Sequence, residues 1–141
     1  DIFAADIKQM LECDAIIANL NSFRGVEPDG GTAFEVGWFS GFNAALQVLK
    51  QSVPHKRIYS YVVDVAEYKT RVMRVGLIEN LDQEVDKDGM MISIFDSHVN
   101  LMLQVSSEEG GAFITSGFDA CLEKMVEDKN AGFFNMSAKA A

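Results

Sequence analysis

The segment from Thr32 to Lys50 restricts the fold more than any other, because its helical periodicity leaves no clear polar face. Phe34, Val36, Trp38, Phe39, Phe42, Leu46, Val48 and Leu49 surround the axis on nearly every side. A helix of that kind has to be covered from more than one direction. The chain has 141 residues, enough for one domain with a core and too few for two. A sheet supplies one cover, and a second subunit is a reasonable source of another. Glu35, Ser40, Asn43 and Gln47 interrupt the apolar run, which argues against a membrane span. Thr32 and Glu35 have the T-x-x-E form of a capping box and mark the expected helix start.

Around this helix the pattern alternates. Phe3, Ile7, Met10 and Leu11 recur at helical spacing, so residues 2–12 read as an amphipathic helix closed by Cys13-Asp14. Ala15 to Leu20 is a short apolar run of the kind found in buried parallel strands, and it leads into a loop through Gly31. Arg57 to Val63 reads as the next strand. Residues 64–97 carry a mixed pattern to which no element is assigned. Val99 to Leu103 looks like a strand or a strand-to-helix junction, Gly111 to Thr115 like a last short strand. Ser116-x-x-Asp119 opens a helix to about residue 128. Strands alternating with helices imply one domain, residues 1–141, with an open, mostly parallel α/β sheet. Ligands of such sheets sit beyond the carboxyl ends of the strands, so the site is expected in the loop 21–31.

Charge and cysteine usage narrow the partners. The formal net charge of −9 repels a nucleic-acid polymer and an anionic membrane alike. Cys13 and Cys121 form no disulfide framework and have no metal-type spacing, which fits a reduced, cytoplasmic setting. No secretory signal is read at the start, where Asp1 and Asp6 interrupt the apolar residues. His55 and His98 stand far apart and are taken as non-ligands, so no metal is expected.

The densest chemical constellation is Asp14, Glu27, Asp29 and Glu35, flanked by Arg24. Gly30-Gly31 lets the backbone fold tightly between Asp29 and Glu35. Carboxylates converging on one pocket suit glycosidic chemistry: one attacks an oxocarbenium-like centre while another handles the proton of the leaving group. Each residue also has a purely structural reading. Glu35 could be only the third residue of its capping box, Asp29 a turn former in Pro28-Asp29-Gly30, Asp14 a helix-end residue, and Arg24 a solvated loop charge.

The runs Cys13-Asp14-Ala15-Ile16-Ile17-Ala18-Asn19-Leu20, Phe23-Arg24-Gly25 and Glu27-Pro28-Asp29-Gly30-Gly31-Thr32-Ala33-Phe34-Glu35-Val36-Gly37 together resemble the signature of nucleoside 2-deoxyribosyltransferases. Asn100-Leu101-Met102 resembles a downstream element of the same family. The resemblance implies a flavodoxin-like sheet with helices on both faces. It implies that Glu35 attacks C1' of the deoxyribose and holds a covalent deoxyribosyl-enzyme. Asp29 and Asp14 then face the nucleobase and assist its departure. Asn100 reaches the 5'-hydroxyl from a neighbouring subunit, and Met102 packs against the site. Phe23, Arg24, Gly25 and Gly31 complete the substrate-binding set. No metal or organic cofactor is implied. The partners are a deoxynucleoside, a free nucleobase and further copies of the chain, which share active sites.

Two departures stand out. The family begins with a strand carrying an aromatic hydroxyl that orients the nucleophile, and this chain begins at the following helix, so a front strand is expected to be missing. Trp38 and Phe39 put bulk where relatives tend to be smaller. The rival readings are an N-glycoside hydrolase of 2'-deoxynucleosides or their 5'-monophosphates, and a non-catalytic nucleotide-binding domain.

Overall fold

The computed structural model describes residues 1–92 and 95–135. In chain order its elements are α1 (Ile2–Glu12), β1 (Ala15–Asn19), α2 (Gly30–Val48), β2 (Arg57–Tyr61), α3 (Tyr68–Arg74), α4 (Leu101–Gly110), β3 (Gly111–Ile114) and α5 (Phe118–Asn130), followed by a 3-10 turn, Phe133–Asn135. The strands form one parallel sheet in the order β1-β2-β3, with Ile16 opposite Ile58 and Ile58 opposite Gly111. Helices α2 and α4 pack on one face and α5 on the other, so the expected open parallel sheet with helices on both faces is what forms.

Strand alternation decides what each face buries. Ile16, Ala18, Leu20, Ile58 and Val62 lie toward α2, where they meet Val36 and Phe39, together with Met10 of α1 and Val99. The intervening residues face α5. Tyr59, fully buried, donates its hydroxyl to Asp128 Oδ2 at 2.9 Å, and Tyr61 meets Phe118 edge-on. Arg57 and Lys124 also pair with Asp128, a carboxylate that is 2% exposed. The junction between α4 and β3 needs small residues. A Cβ on Gly111 would run into the Ile58 carbonyl, and one on Gly110 would lie 2.8 Å from Ile58 Cδ1. The two glycines let the helix end and the strand approach β2 closely.

The strand read to Val63 ends at Tyr61, and the last helix starts at Phe118 after Gly117 rather than from a Ser116 cap; three further differences have local reasons. The long helix starts at Gly30 rather than Thr32, because Asp29 is its cap: the Asp29 carboxylate accepts from Thr32 N–H at 3.1 Å. Val99 to Leu103 contains no strand, since Asn100 caps α4 by accepting from Met102 N–H at 3.0 Å. The unassigned region 64–97 contributes α3, whose Val72 joins Val26, Ile78 and Ile92 in a second, smaller core; residues 93 and 94 of that region lie outside the described residues. Of the apolar helix, Val36 and Phe39 are fully buried, whereas Phe34 and Val48 remain 51% and 80% exposed. No helix among the described residues is long and apolar enough to cross a membrane.

Candidate active site

At the carboxyl ends of β1 and β2 two asparagines knit the strands to the loop between them. Asn19 Oδ1 accepts from the backbone N–H of Asn21 at 3.1 Å, and Asn21 Oδ1 accepts from Val63 N–H at 2.8 Å. The loop then curls on itself: Ser22 Oγ donates to the Val26 carbonyl at 2.9 Å, and Phe23 N–H donates to the Glu27 carbonyl at 2.8 Å. The curl holds Arg24 at φ 52°, a left-handed conformation that costs a non-glycine residue about 1 kcal/mol. Its tip exposes Phe23, with the Arg24 guanidinium 5.1 Å from the ring centroid. A half-exposed ring backed by a cation offers a flat surface on which a planar heterocycle can stack.

Asp29 sits where the loop enters α2, half-buried, with one carboxylate oxygen committed to the helix cap. Gly31 leaves it room, since a Cβ there would come within 3.0 Å of Asp29 Oδ2. Because Asp29 does the capping, Glu35 is the sixth helical residue and not a member of a capping box. Its side chain is exposed and has no hydrogen-bond or salt-bridge partner among the described residues. It lines a depression of about 280 Å³ together with Asp6, Gln9, Met10, Cys13, Ile16 and Ile17, between α1 and the outer edge of β1. Among the described residues the carboxylate therefore has no structural task, and it faces the depression.

The remaining candidates are spread more widely. Asp14 precedes β1 and borders a different cavity, with Phe42, Lys56 and Phe134 among its walls. Asp29 follows the other end of β1, and a five-residue strand spans roughly 17 Å. The structure does not bring Asp14 and Asp29 together within one chain. Asn100 and Met102 are exposed at the start of α4, Met102 by 75%. No cluster of three or more His, Cys, Asp or Glu side chains able to hold a metal occurs among the described residues.

Residues 1–102, which contain every one of these candidates, match the family model described as nucleoside 2-deoxyribosyltransferase. The chain belongs to that family. Its fold is also similar to that of a 2-desoxiribosyltransferase from Leishmania mexicana, with a TM-score of 0.59 and 31% sequence identity. The likeness covers 89% of this chain and 66% of the other, so the chain spans a little under two thirds of that protein's length. Nothing among curated proteins matches it.

The sequence reading of this deoxyribosyltransferase-family chain passed over α3, which roofs the same end of the sheet. Tyr68 donates to Glu27 Oε1 at 2.6 Å, and burial, followed by that hydrogen bond and the Glu27 charge, pushes its phenol up to about 12, so it stays a donor at neutral pH. Arg71, 4% exposed, donates from Nη1 to Ser22 Oγ at 3.1 Å and from Nη2 to the His98 carbonyl. The available signal was weak: Tyr68, Arg71 and Val72 stand at i, i+3 and i+4, a single helical face that happens to carry a cation.

Proposed function

We propose that this protein transfers a 2-deoxyribosyl group between nucleobases through a covalent intermediate on Glu35. The observation that carries the reading is the freedom of the Glu35 carboxylate: the helix cap falls to Asp29, nothing among the described residues pairs with Glu35, and it borders a depression. In the first step a Glu35 oxygen bonds to C1' as the C1'–N bond breaks, and the electron pair leaves with the base nitrogen. A neighbouring carboxyl supplies the proton, a role for which Asp29 stands at the mouth of the loop. In the second step an acceptor base nitrogen attacks C1', displaces the carboxylate and returns the proton. Phe23 and Arg24 form the stacking surface for the base, with Gly25 and Gly31 keeping the loop close. Asp14, whose chain neighbour Cys13 lines the Glu35 depression, is the second acid of this reading. The setting is cytoplasmic nucleoside salvage.

The test offers one deoxynucleoside and a second free base. New nucleoside is the expected product; free base alone would make the protein a hydrolase, and no change would leave a binding domain.

We also propose that the working unit is at least a dimer in which Asn100 and Met102 serve a neighbour's site. The support is apolar surface left uncovered on one chain: Phe34, Val48, Leu49 and Met102 are each at least half exposed. Mixing inactive Glu35→Ala with inactive Asn100→Ala under subunit exchange should restore activity, because some pairs then carry one intact site. A mixture that stays inactive after verified exchange would rule out shared sites.

A further inference from the structure

We propose that Arg71 is a positioning residue that locks the base-side loop to the segment bearing Asn100, and so sets substrate affinity; this rests on the transferase reading given above. Two segments carry the family signature, residues 13–37 and about 98–103, and they are far apart in the chain. Arg71 touches both. One arm of its guanidinium holds Ser22, the residue whose own hydroxyl closes the loop onto Val26, and the other holds the carbonyl of His98, two residues before Asn100. The same helix binds each segment a second time. Tyr68 N–H donates to the Ser97 carbonyl at 3.2 Å, and its hydroxyl donates to Glu27.

Arg71 is buried and makes no direct ion pair among the described residues; the Tyr68 ring centroid lies 5.9 Å from the guanidinium carbon, the charges of Asp64 and Glu27 act on it from farther off, and its Nε has no acceptor among those residues. A buried guanidinium held only by neutral acceptors is costly. Its planar fork can bridge two acceptors in fixed geometry, which the flexible ammonium of lysine cannot do. Loss of the bridge would let the Phe23–Glu27 loop and the Asn100 segment drift apart without touching Glu35, which lies on α2 beyond both. The effect should therefore fall on substrate binding rather than on the bond-breaking step.

The experiment measures KM and kcat for base exchange in the full chain, in Arg71→Met, Arg71→Lys, Ser22→Ala and the Arg71→Met/Ser22→Ala pair. For Arg71→Met, KM for the deoxynucleoside should rise about tenfold with kcat within about threefold of wild type, the signature of lost uniform binding. Arg71→Lys should recover only part of that loss. Ser22→Ala, which removes the acceptor of Arg71 Nη1 and the loop closure onto Val26, should raise KM by a smaller factor, and adding it to Arg71→Met should raise KM by less than Ser22→Ala does in wild type, because only the Val26 closure is left to lose. An unmoved KM in Ser22→Ala and Arg71→Met, or a fall in kcat alone, as a reduced folded fraction would give, overturns the role. If wild-type protein exchanges no base, the transferase reading fails, and this role with it; if it does and KM stays put, only the role of Arg71 fails.

Discussion

Glu35→Gln is expected to lower base-exchange turnover by about four orders of magnitude while leaving the fold untouched. The amide has the shape of the carboxylate but cannot form the glycosyl ester, so the reaction loses its two-step path. Four orders correspond to roughly 5–6 kcal/mol of barrier. Stability should hardly move, because an exposed side chain without partners contributes within about 0.5 kcal/mol. Turnover under saturating deoxynucleoside, set beside a thermal melt, checks both halves. A variant that keeps a tenth of normal activity would remove Glu35 from the chemistry, and a large fall in melting temperature would reveal a structural duty that the geometry does not show.

The second large effect is on stability and lies on the opposite face of the sheet. Asp128→Ala should cost about 3–5 kcal/mol, the range for removing one partner of a buried charge pair. The carboxylate is 2% exposed and is met by the Tyr59 hydroxyl at 2.9 Å and Arg57 Nη2 at 3.3 Å, with half-exposed Lys124 adding less. Without it the largely buried Arg57 guanidinium and the buried Tyr59 hydroxyl lose their common acceptor. For a domain of this size that is a fall in melting temperature of about 10 °C or more. The same group gives an acid dependence. Burial alone would push the Asp128 carboxyl up, but the hydrogen bonds from Lys124 and Tyr59 and the charges of Lys124 and Arg57 outweigh it and hold it below its ordinary value. Its contribution is therefore complete above the unfolded carboxylate range, near pH 4, and is lost as pH falls through the lower folded value. Wild type should lose stability on acidification below pH 4 more steeply than Asp128→Ala; parallel curves would show that the network does not couple to folding.

What could be read from the sequence followed from how local the cause was. β1 and the long helix were legible because a β-branched apolar run and an all-round apolar helix state their environments directly. The helix start was misplaced by two residues because Gly30 and Gly31 are poor helix formers and read as loop. In the structure Asp29 satisfies the Thr32 N–H and the first turn accommodates both glycines. That shift matters chemically, since it turns Glu35 from a capping residue into a free carboxylate. Asn100 was hidden in Val-Asn-Leu-Met-Leu, an apolar run resembling a strand until its side chain is seen to cap α4. Helix α3 was illegible for another reason. It is seven residues long, too short for periodicity to register, and it is held by tertiary contacts of Val72 and Arg71 rather than by helix propensity.

The all-parallel sheet also fixes when this protein can fold. Residue 15 pairs with 57, and 58 with 111, so the first strand pair closes over one helix and the second over two, instead of over tight hairpins. Loop-closure entropy must be met before any of these contacts is rewarded, which makes such topologies slow folders. During synthesis β1 waits for β2, and the sheet is complete only when residues 111–114 have emerged from the ribosome. Until then Ala15 to Leu20 and the apolar faces of the long helix are unsheltered, the kind of surface through which incompletely folded chains aggregate.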